Sequence, residues 1–204
     1  MPMWTRFFNR QRPIPPYITI VSGVPRSGTS MMMRMLEAGG MPVLVDKLRP
    51  PDADNPQGYY EFEAVKRLQT DATFLAQATG KAVKVISALL YTLPQDYRYK
   101  ILFMQRHLDE VLASQRTMLH RGGKPVSPDE AIMAQRFTQH IREVMTWLAQ
   151  QAHMQVLTVN YNAVLAEPRA QARAVQQFLD RQLQVDRMVA VVEHQLYRNR
   201  AAPL

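Results

Sequence analysis

Residues 21–36 read Val-Ser-Gly-Val-Pro-Arg-Ser-Gly-Thr-Ser-Met-Met-Met-Arg-Met-Leu, a glycine-bracketed, hydroxyl-rich turn between a strand-like run and an amphipathic segment. Upstream, residues 17–22 (YITIVS) are β-branched and apolar enough for a buried strand, entered from a proline-rich stretch that ends any earlier element. From Ser27 the pattern turns helical, and the pair Gly39-Gly40 is a natural stop. In such a strand–loop–helix unit, consecutive backbone N–H groups and the positive helix end converge on one point, so the turn reads as a cradle for phosphate-like anions.

Gly23 and Gly28 followed by Thr29 and Ser30 reproduce the spacing of the P-loop of nucleotide-binding proteins, with one departure. Thr29 stands where a nucleoside-triphosphatase carries lysine, and the cation, Arg26, lies inside the loop. A later strand, KILFMQR, ends in Arg106 where a magnesium-holding aspartate would stand. Both departures count against triphosphate hydrolysis. The methionine run 31–33 is expected to pack in the core.

Working outward, strands are expected at 82–86, 99–106 and 154–160. Helices are expected over 60–78, from 108 through 119, from Pro128 toward Gln151, from Pro168 to Leu179 and over 185–195. Residues 47–58, with three prolines and no periodicity, mark an exposed loop. Alternation of strand and helix predicts an α/β fold: a single three-layer domain, residues 17–204 behind a tail at 1–16, with a central mostly parallel sheet and ligands at the carboxyl ends of its strands.

The 204 residues carry a net charge of +8, which suits an anionic ligand. The charge is dispersed and alternates in sign along helical stretches, which argues against nucleic acid as partner. The chain has no cysteine, so disulfides and thiolate metal sites are excluded and a cytoplasmic location is expected. Histidines 107, 120, 140, 153 and 194 show no metal-binding spacing, no metal requirement is expected, and no apolar run is long enough for a transmembrane segment. Oligomeric state leaves no trace in the sequence.

Taken together, these motifs resemble the sulfotransferase superfamily, whose members transfer a sulfuryl group from 3'-phosphoadenosine 5'-phosphosulfate (PAPS). VPRSGTS resembles the family's 5'-phosphosulfate loop, which implies that Arg26, Ser27, Gly28, Thr29 and Ser30 hold that end of the donor. A strand-end arginine and a serine eight residues on, here Arg106 and Ser114, imply the 3'-phosphate contacts. Two helical turns part their α-carbons by about 12 Å, a gap that a long arginine side chain can largely close.

By the same resemblance Lys84 is the lysine that reaches the bridging oxygen and the transferred group, Tyr161 lies near the nucleotide, and Arg198 is a further 3'-phosphate contact. The family histidine two residues after the lysine is replaced by Ile86, so the general base is sought elsewhere: Glu61 first, with Glu63 and His107 as alternatives. The implied architecture is P-loop-like, and the implied reaction is PAPS-dependent transfer to a hydroxyl or amine of a glycan, lipid or small metabolite. A P-loop kinase or NTPase with an atypical loop, and a non-catalytic nucleotide- or RNA-binding module, stand as alternatives.

Overall fold

The computed structural model describes residues 17–46, 48–52, 55–123 and 130–192. Four strands, β1 (Ile18–Gly23), β2 (Ala82–Lys84), β3 (Tyr99–Gln105) and β4 (Met154–Asn160), form one sheet in the order β2-β1-β3-β4. Every pairing is parallel, with Ile20 opposite Val83 and Ile101, and Met104 opposite Val159. Parallel strands need long crossovers, and here helices supply them.

Alternation along the strands divides the core in two. Ile18 and Ile20 of β1 and Ile101 and Phe103 of β3 face one side, with Leu75 of α2 (Leu75–Ala78) and Val144 and Leu148 of α4 (Glu130–Leu148). Val21, Leu102 and Met104 face the other, against α1 (Thr29–Ala38), α5 (Tyr161–Ala166), α6 (Pro168–Leu179) and α7 (Val185–Ala190). The remaining helix, α3 (Leu108–Arg121), follows directly from β3. Of the run 31–33, Met32 and Met33 are fully buried in that second layer, as is Met35, whereas Met31 is half-buried and lines the cavity described below.

The three-layer α/β expectation therefore holds. Four details differ. The single helix expected over 60–78 is instead a 3-10 helix, Glu63–Arg67, and the short α2. Between them Asp71 Oδ1 accepts from Thr73 N (3.0 Å) and Thr73 Oγ1 (2.6 Å), a local turn that competes with helical bonding. β2 ends at Lys84: Val85 still donates to Val21 O (3.1 Å), but Ile86 turns outward into a 3-10 helix, Ser87–Thr92.

α5 was not foreseen, although Asn160 caps it by accepting from Ala163 N at 3.0 Å. The helix placed at 185–195 is α7, which stops already at Ala190, while the expected tail, Arg198 and the start of the helix placed at Pro128 lie outside the described residues. Among the described residues no helix is long and apolar enough to cross a membrane.

Candidate functional site

At the carboxyl ends of β1, β2 and β3 lies a cavity of about 520 Å³. The loop after β1 forms its floor. Arg26 sits at φ 69° and Gly28 at φ 98°, two left-handed residues around Ser27 that curl the backbone into a concave nest before α1 begins. Gly28 is required twice over, by its φ and because a Cβ there would lie 2.4 Å from Tyr161 Cδ2. At Gly23 (φ 149°) a Cβ would lie 2.5 Å from Ser27 Oγ and 2.7 Å from Met104 O.

Arg26, Gly28, Thr29 and Ser30 all line the cavity. Ser27 does not: its side chain is fully buried behind the loop, with a hydroxyl that has no hydrogen-bond partner. Only its backbone N–H, donating to Val24 O at 3.2 Å, helps shape the turn.

Lys84 enters from β2. Its Nζ lies 3.4 Å from Ser30 Oγ, donates to Tyr59 O and stands 3.8 Å from Glu61 Oε1. Burial pushes its pKa down to about 8; Glu61 opposes the shift, while Arg49 and Arg26 add to it. Glu61 also pairs with Arg49 Nη1 at 3.1 Å, and the Arg49 guanidinium stacks 3.3 Å above the Tyr59 ring. Tyr59 in turn donates to Asp52 (2.7 Å to Oδ2); burial and that bond raise its pKa to about 12.

Arg49, Tyr59 and Glu61 thus form a linked strap along one side of the cavity. Of the three candidate bases, Glu61 alone lines the cavity; Glu63 is paired with Lys66 (2.7 Å), and His107 lies at the start of α3 facing solvent.

Opposite Lys84, β3 and α3 bring in Arg106 and Ser114, both on the cavity wall. They do not bond to each other. Ser114 Oγ accepts from Arg26 Nε at 2.9 Å, whereas Arg106 Nε pairs with Glu110 Oε2 at 2.8 Å and its Nη1 donates to Arg26 O at 3.4 Å. The Arg106 guanidinium covers the Tyr161 ring at 4.4 Å, and Tyr161 is at once a core residue and part of the wall.

Three cationic side chains on the wall were missed by the sequence reading: Arg34, Arg49 and Arg121. Arg121 had a legible signal, since Ser114, Thr117, Met118 and Arg121 recur at helical spacing and all four face the cavity. Arg49 had none, because its place depends on the path of an irregular loop.

A parallel α/β sheet with a left-handed nest after its first strand and a strongly cationic crevice beside it gives the strand ends a charge suited to an anionic ligand. Comparison with known families narrows the class. The model of the sulfotransferase family matches residues 51–185, and the chain belongs to that family. The match begins after the nest, which is therefore an independent observation.

Two solved structures share the fold. The chain is similar to the sulfotransferase domain from the curacin biosynthetic pathway (14% identity, 89% of this chain and 79% of that one, TM-score 0.51). It is also similar to the sulfotransferase domain from the Synechococcus PCC 7002 olefin synthase (14% identity, 95% and 83%, TM-score 0.55). No curated protein matches.

Proposed function

We propose that the chain, acting through residues 17–204 as one catalytic domain, is a PAPS-dependent sulfotransferase that delivers a sulfuryl group to a hydroxyl or amine. The observation that carries this reading is the charge of the single cavity on which the separate motifs converge. Among the described residues its wall holds six cationic side chains, Arg26, Arg34, Arg49, Lys84, Arg106 and Arg121, and one carboxylate, Glu61. A donor with a phosphosulfate at one end and a phosphate at the other fits that set, and the nest lacks the lysine that triphosphate chemistry needs.

When bound, PAPS supplies a sulfuryl group activated by its bond to a phosphate. The loop amides, Arg26, Thr29 and Ser30 receive the 5' end; Ser27 contributes through its backbone alone. Arg106 and Ser114 hold the 3'-phosphate, joined in our reading by Arg198 from the C-terminal segment, and Tyr161 backs the nucleotide. Lys84 and Arg26 stabilise the charge that develops on the leaving phosphate oxygen. Glu61 takes the proton of the acceptor as the new bond to sulfur forms and the old bond to the phosphate breaks. Ile86, exposed at the cavity edge, offers no proton acceptor, which leaves Glu61 that role.

Calorimetric titration tests the donor assignment. Adenosine 3',5'-bisphosphate is expected to bind without metal, and ATP with magnesium to bind weakly. Tight ATP–magnesium binding with no heat from the bisphosphate overturns the reading. Radiolabelled donor, offered with glycan, lipid and phenolic acceptors, then identifies the acceptor class.

A further inference from the structure

Glu110 has no part in the reaction as described, yet it is among the most unusual residues of the chain: a carboxylate only 1% exposed, in the first turn of α3. An acid near a helix N-terminus is ordinary when it faces solvent, and its neighbour Asp109 does face solvent. Burial changes the balance. Withdrawing an ion pair from water costs more than its attraction usually returns, and a packed apolar pair would hold the fold as well or better. Stability therefore does not account for a buried glutamate here.

Its contacts do. Glu110 Oε2 accepts from Arg106 Nε at 2.8 Å, and Asn162 Nδ2 donates to both carboxylate oxygens, at 3.0 and 3.2 Å. The guanidinium of Arg106 is thereby held on its Nε edge by Glu110, on one face by the Tyr161 ring at 4.4 Å, and at Nη1 by Arg26 O at 3.4 Å. An arginine side chain is otherwise free to rotate, and fixing it before the ligand arrives removes that entropic cost from binding.

The last contact reaches further. Arg26 is one of the two left-handed residues that shape the nest, so the orientation of Arg106 also bears on the loop at the opposite end of the donor site.

We propose that Glu110, seated by Asn162, is a positioning residue that fixes Arg106 and through it sets selectivity for ligands carrying a 3'-phosphate. The inference rests on the donor assignment above. Positioning and simple electrostatics give opposite signs: a negative charge beside Arg106 weakens its pull on phosphate, so neutralising Glu110 strengthens binding unless orientation dominates.

The test is the affinity ratio between adenosine 3',5'-bisphosphate and adenosine 5'-phosphate, measured by calorimetry on the full chain. E110Q is expected to lower that ratio about tenfold or more, the size of a lost hydrogen bond to a charged group, while the affinity for the monophosphate, reached only through the 3.4 Å contact of Arg106 with Arg26 O, falls by a smaller factor. E110D is expected to recover part of it. N162A, which leaves the carboxylate in place but removes its support, is expected to lower the ratio by a smaller factor, and it serves as the readout if E110Q does not fold.

An unchanged or increased ratio in a folded E110Q, or in N162A where E110Q is lost, overturns the inference alone. Wild-type protein that gives no heat with the bisphosphate overturns the donor assignment and this inference with it.

Discussion

Ser114 Oγ accepts a hydrogen bond from Arg26 Nε at 2.9 Å, tying the loop after β1 to the middle of α3 across 88 residues of sequence. The two residues belong to opposite ends of the proposed donor site, so the bond couples them before any ligand arrives. S114A removes both a proposed phosphate contact and an acceptor that orients Arg26. Affinity for adenosine 3',5'-bisphosphate should fall about tenfold, from the loss of a charge-assisted bond, with little change in the far-UV circular dichroism spectrum. Unchanged affinity in calorimetry would show that Ser114 lies outside the site.

Gly28 tests the nest itself. G28A forces a left-handed residue to carry a Cβ, at a cost of ~1–2 kcal/mol, and drives that Cβ against the Tyr161 ring, 2.4 Å away in the present geometry. We expect a fall in Tm of roughly 5–10 °C for a chain of this size, and loss of bisphosphate binding. The steric part can be isolated with a double-mutant cycle: the penalty of G28A should be smaller in a Y161A background by about 1 kcal/mol or more. An equal penalty in both backgrounds would remove the ring from the argument.

Much of this arrangement is written locally and could be read without coordinates. The nest and α1 follow from one strand–turn–helix unit, and the Arg106–Ser114 spacing from a strand entering a helix. α6 occupies Pro168–Leu179, the bounds its proline and apolar spacing imply. Pairs that join distant segments were not legible. Arg26–Ser114 and Glu110–Asn162 are separated by 88 and 52 residues, and only the sheet order brings them together. Sequence spacing could suggest that Arg106 and Ser114 share a ligand, but not that each first engages a different neighbour. The helix expected over 60–78 failed for a local reason, the Asp71–Thr73 turn, whose hydrogen bonds outweigh apolar periodicity.

Lys84 makes stability depend on pH in a specific window. Its folded pKa, depressed to about 8 by burial, lies below the value of about 10.4 for an unfolded lysine. Between those values the unfolded chain binds more protons than the native one, so stability rises with pH; it is greatest above the unfolded pKa and is lost as pH falls through the folded one. Urea unfolding of wild type and K84M at pH 7, 9 and 10.5 isolates the effect. Wild type should gain on K84M by up to ~3 kcal/mol across that range, and parallel curves would show that Lys84 is not desolvated. A bound phosphosulfate favours the ammonium form, so donor binding near pH 9 should take up a proton, seen as a buffer-dependent heat.

Glu61 separates chemistry from binding. Its carboxylate sits 3.8 Å from Lys84 Nζ and 3.1 Å from Arg49 Nη1, between the charge proposed to meet the leaving group and the Arg49–Tyr59 strap. E61Q keeps the shape of the side chain and removes its capacity to take a proton. With an acceptor found by the radiolabelled screen, kcat should fall about 100-fold or more. The affinity for adenosine 3',5'-bisphosphate should stay level or improve, because a negative charge near the anion site has been removed. E63Q and H107A, altered at residues off the cavity wall, should keep kcat near the wild-type value. If H107A or E63Q loses turnover while E61Q retains it, the base has been misassigned; if E61Q loses affinity and turnover together, Glu61 organises the Arg49–Tyr59 strap instead of moving the proton.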